Sequence, residues 1–263
     1  MLSTFLAEAD LSPLDTPKAV AFWLDHGCVY VDGQRQRTDI QLSPEQIVRL
    51  HTNPKFYPRN FVKLSERIVS NEKDFIVLNK PEGLPSHATL DNFKENAKFL
   101  LEEELGHPVY TTSRLDIPTS GLLLLGKTAE AQAAINKLFA KGRVTKRYLA
   151  RTKKRLEPGH YVHFMDREGH VPRAMSSEPV PGWWECSMDI EKVEDLDGSY
   201  AHTIRLRTGR THQIRSQMAY MEAPIIGDSL YGSNEFHTVG IALSCTELSF
   251  LLNGQPYSFK LVD

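Results

Sequence analysis

Cysteine is scarce in this chain: Cys28, Cys186 and Cys245 are the only three among 263 residues. They are too few and too scattered for a disulfide framework or a cysteine-based zinc site, and a reducing cytoplasm is the compartment they predict. No apolar run approaches the ~20 residues that span a bilayer. The opening MLSTFLAEAD turns acidic at once with no basic segment ahead of it, so neither membrane insertion nor export is expected. His160, His163 and His170 do not stand at a metal-ligating spacing, and no metal is expected. Net charge is also nearly absent, 31 Lys and Arg against 33 Asp and Glu. That average excludes a uniformly basic protein but not a locally basic one, because phosphate affinity depends on local neutralisation.

What is present is ordinary in bulk and uneven in detail. A hydrophobic content of 41% and a charged content of 24% suit a soluble globular protein, and the length allows one large domain or one with a small companion. Residues 137–155 carry nine basic side chains and no acidic one, and Arg205, Arg207, Arg210 and Arg215 follow without an acid between them. This segregation predicts a basic stripe facing RNA; a solvated basic face is the plainer alternative.

The stretch 112–121, TSRLDIPTSG, organises the rest. Arg114 and Asp116 stand two apart, so an extended backbone turns both to one side and sets a cation and an anion before one cleft. A Pro-Thr-Ser-Gly turn follows, and Leu122 to Leu125 read as a short buried strand. GLLLLGKT at 121–128 satisfies the phosphate-loop expression G-x-x-x-x-G-K-T. Four leucines around a triphosphate would be costly to expose, so a buried strand is the better reading and no nucleotide cofactor is expected.

Around this stretch the periodicities predict alternating helices and strands. Residues 18–25 read as a helix, 27–33 as a strand closing on an Asp-Gly turn, and 42–50 as another strand. Residues 68–79 suggest two strands about a polar turn, and 92–105 a helix closed by Gly106. Thr128 is a candidate cap for a helix ending near Gly142, followed by a strand holding Lys146, Arg147 and Tyr148. No motif stands out over 156–197, where one of Trp183 and Trp184 is expected in the core. Residues 199–208 alternate, with Ile204 and Leu206 on one face. Thr211 is expected to cap a helix whose N-terminus favours an anion, and 241–250 with 257–262 close the chain as paired strands. The element order predicts an α+β fold with a mixed, mostly antiparallel sheet.

Two motifs, S-R-L-D-I-P-T-S-G-L-L-L from Ser113 and G-R-T-H-Q-I-R from Gly209, resemble those of the RluA-type RNA pseudouridine synthases. Lys80-Pro81-Glu82-Gly83-Leu84, Lys146-Arg147-Tyr148-Leu149-Ala150 and Pro224-Ile225-Ile226-Gly227-Asp228 extend the resemblance in order over about residues 64–232. Ser113 departs from the family, which has histidine there. Residues 1–57 resemble a small S4-like α/β domain, with 58–263 as the catalytic domain. The N-terminal fifty residues hold four Lys or Arg against seven Asp or Glu, which suits a structural or substrate-positioning role better than strong phosphate binding.

The resemblance implies the pseudouridine synthase fold with a central cleft and isomerisation of uridine in rRNA or tRNA, by a cytoplasmic monomer without cofactor. It implies Asp116 as the essential carboxylate, which attacks C1′, adds to the base or removes the C2′ proton. Tyr148 then packs on the uracil and Arg215 holds the aspartate, while Arg114, Arg210, His212, Lys146 and Arg147 bind substrate. A non-catalytic RNA-binding protein on the same scaffold is the alternative.

Overall fold

Apolar side chains gather into two separate clusters in the computed structural model, which describes residues 1–8, 16–57, 59–169 and 171–261. The smaller cluster belongs to the first fifty residues. Helices α1 (Leu2–Glu8) and α2 (Thr16–Asp25) contribute Leu2, Leu6, Val20 and Trp23. Strands β1 (Val29–Val31), β2 (Gln34–Gln36) and β3 (Val48–Leu50) form an antiparallel sheet in the order β2-β1-β3. The Asp32-Gly33 turn puts both residues at positive φ, 50° and 78°, as a two-residue hairpin of this kind requires. The strand expected over 42–50 shortens to Val48–Leu50. Its first half is braced as a turn instead, with Gln46 Nε2 and Ile47 N donating to the Asp32 carboxylate.

The larger cluster lies in one eleven-stranded sheet and the helices against it. In chain order its elements begin with β4 (Ile68–Asn71), β5 (Phe75–Lys80), α3 (Ala97–Leu105), β6 (Tyr110–Thr111), β7 (Ser120–Gly126) and α4 (Ala129–Ala140). They continue with β8 (Val144–Thr152), β9 (Gly159–Met165), β10 (Met175–Ser176), β11 (Trp184–Asp195) and β12 (Tyr200–Leu206). Helix α5 (Gln213–Tyr220), β13 (Leu243–Leu252) and β14 (Gln255–Lys260) complete it. The order is β10-β9-β11-β12-β8-β13-β7-β5-β4, with β14 on β13 and β6 on β7. Among the described residues every pairing of named strands is antiparallel except β13 with β7, which is parallel and limited to Ser244–Ser120 and Cys245–Gly121. The α+β class and the mostly antiparallel sheet are therefore as the sequence implies. No helix among the described residues is long and apolar enough to cross a membrane.

The four leucines of 121–128 are fully buried in β7, laddered to β5, and Thr128 then caps α4 by accepting from Ala131 N at 3.1 Å. Gly121 sits at the parallel junction with φ 105°, and a Cβ there would run into the Cys245 backbone. Gly121→Ala is expected to cost at least ~3 kcal/mol from the forbidden φ and the clash together. A urea-unfolding midpoint close to wild type would contradict this.

Two expected boundaries move. The helix expected over 92–105 begins at Ala97, because Asn96, with φ −159°, caps it by accepting from Phe99 N. The preceding residues are spent gripping the N-terminal unit. Phe93 N donates to His26 O at 2.7 Å, Tyr30 OH to Leu90 O at 2.9 Å, and Arg35 to the Gly27 and Thr89 carbonyls. Arg37 lies over the Phe93 ring at 4.1 Å. Of the unit's four cations, Arg35 is thus committed to backbone carbonyls, while Arg37 stays exposed. The closing strand expected to Val262 ends at Lys260; Val262, Pro58 and His170 lie outside the described residues.

Candidate active site

The segment ahead of β7 leaves the sheet, and its side chains alternate as period two requires. Leu115 turns into the core, with its N–H and C=O both bonded to Ser86 Oγ at 3.0 and 2.9 Å. Arg114 and Asp116 therefore face the other way, into a cavity of about 370 Å³, within the ~300–1,000 Å³ of small-molecule sites. The backbone beyond Asp116 is pinned. Gly83 N donates to Ile117 O at 2.8 Å, and Thr119 N to Asp116 O at 3.1 Å. The fully buried Lys80 donates to the carbonyls of Pro81, Leu84 and Ile117, with burial pushing its pKa down to about 7 against the pull of Asp116.

Of the eight site residues expected from sequence, Asp116, Tyr148, Arg215, Arg114, Arg210, His212 and Lys146 line this cavity and Arg147 does not. Strand parity explains the exception. Lys146 and Tyr148 occupy buried positions of β8, whereas Arg147 points away and is held by Glu191 at 2.6 Å and Glu247 at 3.2 Å. Arg147, expected to bind substrate, thus lies outside the cavity in a strand-to-strand ion pair.

The carboxylate chemistry centres on Arg215. Its Nε and Nη2 donate to the two oxygens of Asp228 at 2.7 and 2.9 Å, a bidentate pair with side chains 5% and 1% exposed. The remaining Nη1 faces Asp116 Oδ2 at 3.4 Å. Asp116 is the open member at 23% exposure, with His212 Nε2 at 4.0 Å on the same oxygen. Asp228 was not singled out by sequence reasoning, although it lies in the quoted P-I-I-G-D motif; only the tertiary pairing reveals it. The Tyr231 ring lies 5.0 Å from the Arg215 guanidinium, and its hydroxyl is 3.1 Å from His212 Nδ1.

Burial opposes the charge of Arg215, but the hydrogen bond and charge of Asp228, with Asp116 beyond it, raise its pKa above the ordinary value. Burial holds the Tyr148 phenol protonated well past its usual range, helped by Cys245 and Asp116. Burial pushes His212 down against the attraction of Asp116, and Lys146 down against that of Cys245. The site therefore offers one accessible carboxylate beside a permanent cation and a phenol that stays neutral.

Helix α5 starts at Gln213, not at Thr211. His212 occupies the cap position in left-handed conformation, φ 62°, without a side-chain cap bond. Thr211 Oγ1 instead accepts from Arg114 Nη2 at 2.9 Å, linking the two motifs across the cavity. Ser113, where the resembled family has histidine, lines the cavity with a buried Oγ that has no hydrogen-bond partner.

Four of the nine cations of 137–155 are ion-paired in space, while Lys137, Lys141 and Arg143 stay exposed. Besides Arg147, Lys154 pairs with Glu222 at 2.8 Å, Arg155 with Glu157 at 3.0 Å and Lys153 with Glu235 at 3.8 Å. Lys146 is buried against Phe139. Neighbouring segments supply the acids that the local sequence lacks. Neither tryptophan of the 183–184 pair is in the core, and both are half-buried.

A family model described as RNA pseudouridylate synthase matches residues 74–220. The chain is 31% identical over 208 residues to RNA pseudouridine synthase 6, chloroplastic, of Oryza sativa subsp. japonica. That match covers 70% of this chain and 44% of the rice protein, so the chain spans less than half of that relative's length. Ribosomal large subunit pseudouridine synthase D of Pasteurella multocida is 27% identical over 247 residues, covering 86% of this chain and 72% of that protein. A solved structure titled Human RNA Pseudouridylate Synthase Domain Containing 1 superposes with a TM-score of 0.64 at 21% identity. It covers 74% of this chain and 82% of the human chain, a likeness of fold.

Proposed function

Given that the chain belongs to the RNA pseudouridylate synthase family, we propose that it isomerises uridine in RNA to pseudouridine with Asp116 as the reacting carboxylate. The observation that carries this is the Asp228–Arg215–Asp116 line. Two nitrogens of Arg215 are committed to Asp228, and the third faces Asp116 Oδ2 at 3.4 Å at the wall of a uridine-sized cavity.

In the reaction the N1–C1′ bond breaks, the uracil turns, C5 bonds to C1′, the C5 hydrogen leaves and N1 gains one. Substrate and product are isomers, so the net reaction consumes nothing. Asp116 supplies the carboxylate chemistry and the neutral Tyr148 packs beside the base. Arg114 occupies space vacated in the RNA or holds phosphate while the uridine is turned out, a step costing a few kcal/mol unless the target is already unpaired. The N-terminal unit, net acidic and with Arg35 bonded to the Gly27 and Thr89 carbonyls, serves to position RNA. Ribosomal and transfer RNA are the pools to test first.

RNA tritiated at uridine C5 tests the reaction directly, because isomerisation releases that label to water. Release by wild-type protein is expected. RNA binding with no release from either RNA pool would support the non-catalytic alternative instead. Arg114→Gln is expected to lower the release rate at sub-saturating RNA by about tenfold or more, since it loses a cavity cation. Arg147→Gln should stay within about threefold and lose no more than ~1 kcal/mol of stability, the worth of a partly exposed ion pair. Equal losses in both variants would contradict this division.

A further inference from the structure

The region 156–197, without a motif in sequence, carries an element that the isomerisation leaves unused. Trp184 opens β11 half-buried, and the guanidiniums of Arg210 and Arg167 lie over its ring at 5.3 and 5.7 Å. These distances are near the outer limit of cation–π contact, ~6 Å. Both arginines are exposed, and among the described residues neither has a carboxylate within ion-pair distance. In the stripe of 137–155, by comparison, four of the nine cations are ion-paired. Arg210 also forms part of the cavity wall, so the indole stands next to the rim of the catalytic site. Trp183, its neighbour in sequence, has no guanidinium over its ring among the described residues.

An aromatic face between uncompensated cations matches a nucleotide: the ring takes the base by stacking and the guanidiniums take the phosphates on either side. We propose that Trp184, Arg210 and Arg167 form a second nucleotide subsite, a platform for an unpaired base of single-stranded RNA flanking the uridine in the cavity. Its role as a substrate contact rests on the proposed synthase activity; its affinity for single-stranded RNA does not.

A short oligoadenylate tests the subsite without offering a uridine to the cavity. Titrated into wild-type protein and the Trp183→Phe variant, it should quench tryptophan emission. In Trp184→Phe the quenching should vanish while binding, followed by the anisotropy of a labelled oligomer, stays within about threefold. Trp184→Ala should weaken binding by about tenfold or more, the range of a lost base–aromatic stack. An abasic sugar-phosphate oligomer of equal length should bind more weakly and leave the emission unchanged. Quenching that survives in Trp184→Phe, or equal affinity for the abasic oligomer, would overturn the platform. So would unchanged affinity in Trp184→Ala; joined to tritium release by wild type, that result would leave the synthase reading standing. Quenching through Trp184 without any tritium release would keep the platform and overturn the synthase reading.

Discussion

Asp116→Asn is expected to lower pseudouridine formation by about 10,000-fold or more, the scale on which removal of a single reacting group acts. RNA binding and folding should remain close to wild type. The substitution keeps the shape of the side chain and removes only its charge and acceptor strength. Arg215 does not become an orphan, because its Nε and Nη2 remain bonded to Asp228 at 2.7 and 2.9 Å. Asp116 is 23% exposed and its contact to Arg215 is long, 3.4 Å, so the stability change should stay below ~1 kcal/mol. Affinity for RNA should hold or rise slightly, since a negative charge leaves the cavity. A variant that keeps a tenth of wild-type turnover would remove Asp116 from the reacting role.

Asp228→Ala is expected to act through the fold first. It strands a guanidinium whose side chain is 5% exposed, leaving only the long contact to Asp116, and it empties the space of a carboxylate that is 1% exposed. Breaking a buried pair by removing one partner costs ~3–5 kcal/mol. For a chain of this size that is a fall in Tm of roughly 10 °C. Turnover should fall as well, because Arg215 is free to close on Asp116 and quench the carboxylate it otherwise presents. Replacing both partners, Arg215→Leu with Asp228→Leu, should recover part of the stability and none of the turnover. Calorimetry of the three proteins decides the point. An Asp228→Ala protein that melts with wild type would show that the pair contributes nothing to holding the site.

The parts of the site that are legible in sequence are those set by local geometry. Arg114 and Asp116 share a face because two residues separate them, and Leu115 between them must go to the core. The α4 cap at Thr128, the hairpin turn at Asp32-Gly33 and the burial of Leu122 to Leu125 are likewise local. The same parity argument, applied to β8, would have turned Arg147 away from Tyr148. What the sequence hides are partners brought in from other strands. Glu191, Glu222, Glu235 and Glu247 neutralise cations that look like a stripe when read along the chain. Asp228 reaches Arg215 from thirteen residues away, and Arg114 takes Thr211 across ninety-seven, which leaves the helix cap to His212. Trp184 looks like a core residue until Arg210 and Arg167 are found beside it.

The most direct test maps pseudouridine at single-nucleotide resolution in total RNA from cells lacking the gene, after incubation with wild-type protein or Asp116→Asn. Wild type is expected to create a new pseudouridine that the variant does not, at equal RNA occupancy. The same new site from both proteins would contradict the role of Asp116, and no new site from wild type, with RNA bound, would contradict the synthase itself.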